Sequence, residues 1–296
     1  MLVCACSASK YFGRKLAKAT GSEYLEIETR RFPDGELYVR VCGDVAGESV
    51  VLVQSMYKEP NDRLVEYLLT ARTIKELGAE ALIGVVPYLP YARQDARFKP
   101  GEAVSLEIVL DLLAHAGTDR LVVVDAHLHR VPDLSEISRI PVHNLTVMDR
   151  LGEYLRANLD LSEPLVLAPD EEAEQWAKVV AEILGTDYCA LSKERLGDRE
   201  VSVAGELELE ERDAVIVDDI ISTGGTTAAA ARLAKEAGAR KVVAACSHAI
   251  LALGAEHRIF SAGVEELVAS DTVPSPYSVV SAVPPVAGLL EKIARS

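Results

Sequence analysis

The run Ala214-Val215-Ile216-Val217-Asp218-Asp219-Ile220-Ile221-Ser222-Thr223-Gly224-Gly225-Thr226-Thr227 holds the residues best suited to chemistry. A short apolar stretch reads as a buried strand and ends in two adjacent carboxylates. A hydroxyl-rich turn with glycines follows, and then a helical run from Ala228 to Ala237. That order builds an anion site: glycines let the backbone approach a phosphate closely, and the first N–H groups of a helix have no partners of their own. Ser222, Thr223, Thr226 and Thr227 add hydroxyl donors. The upstream carboxylates would repel a phosphate, so they suit something neutral attached to it, such as sugar hydroxyls. A sugar phosphate fits. No lysine follows the glycines as in a Walker A loop, and no G-x-G-x-x-G is present.

Three other segments carry chemistry. Asp125-Ala126-His127-Leu128-His129 lies at a strand end, and if the strand continues, Asp125, His127 and His129 share one face and could hold a divalent cation. Asp170 also ends a strand, just ahead of a helix; it reads as a helix cap, or as a second metal ligand if it lies beside His127. The loop Tyr88 to Glu102 combines aromatics, cations and an amide, which suits a nucleotide. Arg31-Phe32-Pro33-Asp34-Gly35-Glu36 reads as a turn presenting an aromatic ring between carboxylates.

The elements that must position these groups alternate. Met1 to Ala8, Ser49 to Met56, Ala81 to Pro87 and Arg120 to Asp125 read as strands, interleaved with helices at Asn61 to Leu77 and Val104 to His115. The second half repeats the idea: strand Leu165 to Ala168, helix Glu171 to Leu184, strand Ala214 to Asp219, helix Ala228 to Ala237, strand Lys241 to Ser247, and a last helix Val286 to Arg295 whose docking side is open. The pattern predicts an α/β protein with parallel sheets flanked by helices, its functional groups at strand C-termini. A composition break near Pro141 to Asn144 divides the chain into 1–144 and 145–296, two halves suggestive of a duplication.

At 296 residues the chain is long enough for two domains with cores of their own. Its formal net charge of −15 argues against nucleic acid or an anionic membrane as partner. Five cysteines, odd in number and without a paired C-x-x-C, point to a reducing cytoplasm rather than a disulfide framework or zinc site. A signal peptide is not expected, and no apolar run reaches the roughly 20 residues of a membrane helix.

Val217-Asp218-Asp219-Ile220-Ile221-Ser222-Thr223-Gly224-Gly225-Thr226 resembles the phosphoribosyl-diphosphate (PRPP) loop of type I phosphoribosyltransferases and of ribose-phosphate diphosphokinases. With the other motifs in order, nearly the whole chain resembles the second family, the PRPP synthetases, in particular archaeal-type members. The resemblance implies two similar domains of the phosphoribosyltransferase-like type I fold. It also implies that Phe32, Asp34, Gly35 and Glu36 bind adenine from the neighbouring subunit of a dimer, the minimal unit of a homo-oligomer. Arg93 and Gln94 match the family's ATP-binding pair, and His127 and Asp170 its magnesium-associated residues. Lys193-Glu194-Arg195 fits the lysine–x–arginine of a mobile catalytic loop. Arg195, Asp218, Asp219, Ser222, Thr223, Gly224, Gly225 and Thr226 fall to ribose 5-phosphate.

The family moves the β,γ-diphosphoryl group of ATP to the 1-hydroxyl of ribose 5-phosphate, giving PRPP and AMP with Mg2+. Three departures stand out. Ala168-Pro169-Asp170-Glu171-Glu172-Ala173 replaces a Ser-Pro-Asp followed by His or Asp and two glycines, Ser222 stands where many bacterial members have Asp, and Asp-Ala-His-Leu-His-Arg replaces Asp-Leu-His-Ala, leaving His129 and Arg130 without a role. A type I phosphoribosyltransferase would not need the first half's nucleotide segments. A non-catalytic regulatory partner would bind nucleotide with a degenerate site, and the altered Asp170 loop is the one feature that favours it.

Overall fold

A computed structural model describes residues 1–128, 131, 133–191, 194–196, 200–202 and 207–295. The chain divides into two compact units, Met1–Thr146 with Ala282–Ser296, and Val147–Ser281.

In the first unit the order is β1 (Leu2–Ala5), α1 (Lys10–Thr20), β2 (Glu23–Arg31), β3 (Leu37–Val41), β4 (Ser49–Val53), α2 (Pro60–Glu76), β5 (Ala81–Val86), α3 (Ser105–His115), β6 (Arg120–Val124) and β7 (Val142–Leu145). These strands form a sheet in the order β3-β2-β1-β4-β5-β6-β7, parallel throughout except for the antiparallel hairpin β2–β3 at one edge. The central strands are apolar runs because helices cover both faces. Helix α2 begins with Pro60 in its first turn, where a missing N–H costs nothing, packs on β3 and β5, and buries Leu64, Tyr67, Ala71 and Ile74 in the core. The Tyr67 hydroxyl meets Thr118 Oγ1 at 2.8 Å, which satisfies it in the core.

Glu66, on the same helix, is fully buried. Its carboxylate accepts from Ser7 N at 2.8 Å, Ser7 Oγ at 2.7 Å, Thr29 Oγ1 at 2.9 Å and Gln54 Nε2 at 3.0 Å. One buried acceptor group therefore ties together the chain leaving β1, the end of β2 and the chain leaving β4.

The second unit runs α4 (Met148–Asn158), β8 (Leu165–Ala168), α5 (Glu174–Leu184), β9 (Tyr188–Ala190), β10 (Glu194–Leu196), β11 (Glu200–Ser202), β12 (Ala214–Ile221), α6 (Gly225–Glu236), β13 (Val242–Ala249), α7 (Ala255–Ser261), β14 (Glu266–Ser270) and β15 (Ser278–Val280). An all-parallel sheet has the order β15-β14-β13-β12-β8-β9, and β10 and β11 pair as a separate antiparallel hairpin. Helix α6 buries Ala228, Ala230, Ala231 and Ala234, small side chains that bring its backbone close to the sheet. The last helix, α8 (Val283–Arg295), returns to the first unit and packs on α1.

The expected fold class is what the structure shows: two parallel-dominant sheets flanked by helices. Two local expectations are corrected. The strand through Asp125 stops at Val124, because Asp125 takes a left-handed φ of +38°; the alternation that would align Asp125, His127 and His129 ends there, and His129 and Arg130 lie outside the described residues. Helix α6 begins at Gly225, three residues before the expected Ala228, so Gly225, Thr226 and Thr227 form its first turn. No helix among the described residues is long and apolar enough to cross a membrane.

Candidate active site

In the second unit the sugar-phosphate segment is a strand–loop–helix. Strand β12 carries Asp218 and Asp219 near its C-terminal end, and alternation sends them apart: Asp219 is fully buried, while Asp218 is half-buried. Asp218 Oδ1 accepts from Asp219 N at 3.0 Å. Burial, then the neighbouring Asp219 and Asp170 carboxylates, push the Asp218 carboxyl well above the usual carboxylate range. Asp170 comes near for a topological reason. Leu167 pairs with Ile216, so the chain leaving β8 at Ala168 emerges beside the carboxylate end of β12. Asp170 also does what a cap does: its Oδ1 accepts from Ala173 N at 3.2 Å in the turn leading into α5.

The loop after β12 presents donors. Gly224 takes φ +72° and ends the loop at the start of α6. The carbonyls of Ile221, Ser222 and Gly224 accept from Leu251 N at 3.1 Å, Ala252 N at 2.8 Å and Ala228 N at 2.9 Å, and the Thr223 carbonyl accepts from the Arg258 guanidinium. Among the described residues, by contrast, the N–H groups of Thr223, Gly224, Gly225, Thr226 and Thr227 find no acceptor. Five consecutive free donors at a helix N-terminus form an anion cradle. Ser222 and Thr226 are half-buried and Thr223 is exposed, so their hydroxyls border it.

In the first unit the segment Arg31–Glu36 is the turn of the β2–β3 hairpin, closed by Phe32 N to Glu36 O at 2.8 Å and Gly35 N to Phe32 O at 2.9 Å. Gly35 supplies the φ of +97° that the turn requires. The Phe32 ring is 40% exposed yet ordered by neighbours: its edge-to-face partner Tyr38 lies 6.2 Å away, and the Arg30 guanidinium sits 4.0 Å from the Tyr38 centroid and 4.9 Å from that of Phe32. Arg31 pairs with Asp62 at the start of α2 and donates to Gly35 O at 3.2 Å, which fixes the turn to the body of the unit. Asp34 and Glu36 are exposed.

The loop after β5 holds Arg93, exposed, and Gln94, half-buried. Gln94 Nε2 lies 3.3 Å from Ala96 O and 3.4 Å from Glu102 Oε2. Glu102 organises the loop, since the same Oε2 accepts from Phe98 N at 3.0 Å and Lys99 N at 2.8 Å. The composition of the segment does not reveal that role. His127 follows β6 and is half-buried; the turn before it is held by Asp125 N to Leu145 O at 2.8 Å and Ala126 N to Asn144 Oδ1 at 3.1 Å.

Lys193 lies outside the described residues. Arg195 belongs to β10, opposite Val201 of β11.

A family model described as the N-terminal domain of ribose phosphate pyrophosphokinase matches residues 1–117, and one described as a phosphoribosyl transferase domain matches residues 134–273. A ribose-phosphate pyrophosphokinase of Methanopyrus kandleri is 40% identical over 294 residues, covering 99% of each chain. One from Methanothermobacter thermautotrophicus is 39% identical over 291 residues, covering 98% of this chain and all of the relative. The chain belongs to the ribose-phosphate pyrophosphokinase family. The crystal structure of phosphoribosylpyrophosphate synthetase from Mycobacterium smegmatis is similar over 100% of this chain and 98% of that one, with a TM-score of 0.88 at 28% identity. As a member of that family the chain is an enzyme, and both its sheets carry the chemistry-bearing segments at or beyond strand C-termini.

Proposed function

We propose that the chain transfers the β,γ-diphosphoryl group of ATP to the 1-hydroxyl of ribose 5-phosphate, giving PRPP and AMP. The observation that carries this reading is the cradle of five free N–H groups at Thr223–Thr227, with Asp218 just upstream, in a chain of this family. The 5-phosphate takes the N–H groups and the hydroxyls of Ser222, Thr223 and Thr226. Asp218 accepts from ribose hydroxyls, with Asp219 buried behind it. Phe32 stacks on the adenine, Asp34, Gly35 and Glu36 read its edge, and the Arg93 guanidinium and Gln94 amide hold the nucleotide. The family resemblance implies that a neighbouring subunit supplies Phe32, so the working unit in this reading is at least a dimer.

Among the described residues no group of three or more His, Cys, Asp or Glu is arranged to hold a metal ion by itself. The donors present nevertheless fit Mg2+ arriving with a nucleotide. Burial and Asp219 first, and then Asp170, raise the Asp218 carboxyl, and a cation would relieve the repulsion among these carboxylates. Asp170 in the second unit and His127 in the first are the metal-associated residues that the resemblance assigns, and the ion would supply neutralisation of the phosphate oxygens.

The chain's own groups do the rest. The 1-hydroxyl oxygen attacks the β-phosphorus in line and gives up its proton to water, the bond from that phosphorus to the α,β-bridging oxygen breaks, and AMP leaves. Lys193 and Arg195 close over the transferring group, offset its developing charge and keep water from it.

The test is phosphorus NMR of purified protein with ATP, ribose 5-phosphate and magnesium. AMP and PRPP appearing together, and vanishing in Lys193→Ala, support the reading. ATP surviving unchanged, with nucleotide still bound by calorimetry, overturns it and makes the Asp170-Glu171-Glu172-Ala173 departure the mark of a regulatory partner.

A further inference from the structure

We infer that Arg258 is a positioning residue that aims the Gly224 N–H of the phosphate loop, and that it does so by holding the Thr223 carbonyl from behind. The inference rests on the reading of Thr223–Thr227 as the sugar-phosphate cradle.

In a planar trans peptide the C=O of one residue and the N–H of the next point in opposite directions. Fixing a carbonyl on one side therefore aims the following N–H to the other. The Ser222 carbonyl, held by Ala252 N at 2.8 Å, sends the Thr223 N–H away from the segment 250–254. The Thr223 carbonyl, held by Arg258, does the same for the Gly224 N–H, and the Gly224 carbonyl, held by Ala228 N at 2.9 Å, for that of Gly225. The donors are aligned before any anion arrives, which spares the ligand the cost of ordering them.

Among the described residues, Arg258 is the one side chain holding a carbonyl of residues 221–224; the others are held by backbone N–H groups. Its guanidinium also lies 3.5 Å from Leu253 O, so it spans the phosphate loop and the segment packed behind it. That segment is strained. Leu251 and Leu253 both take left-handed φ angles, +51° and +54°, which a side chain with a Cβ disfavours. The Leu253 side chain is 83% exposed and gains nothing from packing, so backbone tethers must hold it. A strained, tethered segment backing a row of open donors is a structure built to hold one geometry.

The test compares Arg258→Ala and Arg258→Lys with the wild type in three readouts. Amide hydrogen exchange at Ala228, Leu251 and Ala252, whose N–H groups hold the loop's other carbonyls, is expected to quicken in the free Arg258→Ala protein. The KM for ribose 5-phosphate should rise about tenfold, the loss of one charge-assisted hydrogen bond, with the KM for ATP and the thermal midpoint unchanged. Lysine, which reaches one carbonyl and not two, should fall between. Unchanged exchange and unchanged KM in an active protein overturn the role of Arg258 while leaving the cradle intact. Equal rises in both KM values with a lowered midpoint would make Arg258 merely structural. If the wild type binds no ribose 5-phosphate by calorimetry, the cradle reading itself fails, yet the exchange experiment still decides whether Arg258 orders the loop.

Discussion

Gly224→Ala should damage both the fold of the second unit and its phosphate loop. The residue sits at φ +72°, and a Cβ there would lie 2.7 Å from Ile259 Cγ2 and 3.3 Å from both Ala255 Cβ and Ala255 O. Left-handed backbone costs a residue with a Cβ about 1–2 kcal/mol. Ile259 is fully buried and β-branched, so it cannot swing away, and forcing a methyl against it adds about 1–3 kcal/mol of overpacking. The sum, about 2–5 kcal/mol, is a large part of the stability of an ordinary domain. The chain's single tryptophan, Trp176, is buried in α5 of the same unit, so its fluorescence reports the unfolding that matters. In urea the midpoint should fall by roughly 1–2 M at constant slope. Gly225→Ala is the control: a Cβ there meets only Thr223 Oγ1, at 3.8 Å, and its φ is not left-handed. Whatever part of the strain the loop relieves by moving should appear as a raised KM for ribose 5-phosphate, tenfold for each 1.4 kcal/mol of lost contact. If Gly224→Ala and Gly225→Ala unfold at the same midpoint, the argument from backbone angle and contact is wrong.

Tyr38→Ala should raise the KM for ATP about two- to tenfold, the value of one aromatic pair, and leave that for ribose 5-phosphate unchanged; Tyr38→Phe, which keeps the edge-to-face contact with Phe32, should behave as wild type in the same steady-state assay. His143 contributes a pH term. Burial, then the Arg120 guanidinium 3.3 Å from its Nε2, lowers its pKa below the ordinary value, so the unfolded chain takes the proton more readily. Its share of stability is complete above about pH 6.5, the ordinary value for histidine, and is lost as the pH falls through the lower folded value. Unfolding midpoints measured from pH 8 to pH 5 should therefore fall less steeply in His143→Gln.

What the sequence revealed and what it hid have the same cause, the range over which each feature is determined. Strand β12, its carboxylates and the glycines after it are contiguous, so composition and order were enough to read them. The expected start of α6 lies three residues late because Gly225-Thr226-Thr227 has the composition of a turn; the segment is helical because Gly224 takes a left-handed φ as the cap and Ala228 N closes the first turn on the Gly224 carbonyl at 2.9 Å. The hairpin β2–β3 escaped the reading because it forms a sheet edge, where Glu23, Thr29, Arg30 and Arg31 interrupt the apolar alternation and only Leu25 and Ile27 of β2 are buried. The end of β6 was legible to within one residue, but the left-handed turn at Asp125 was not, since nothing but its neighbours imposes it. The sequence alone does not separate cap from ligand at Asp170; its bond to Ala173 N and its proximity to Asp218 are compatible, because the two oxygens of one carboxylate can serve both.

Arg258 was the least legible of all. It lies 35 residues beyond the carbonyl it holds and reads as surface charge on a short helix. Its role exists only because β13 runs parallel beside β12 and returns the chain behind the loop. This arrangement also answers an apparent conflict in the charge. A chain with a formal charge of −15 repels polyanions at long range, yet the proposed substrates are all phosphates. The repulsion is screened over about 8–10 Å of ordinary salt solution, whereas peptide N–H groups act at contact and carry no formal charge to be screened or titrated. An acidic protein can therefore hold a sugar phosphate tightly, provided its donors are aligned in advance and its nearby carboxylates face hydroxyls or a cation instead of the phosphate itself.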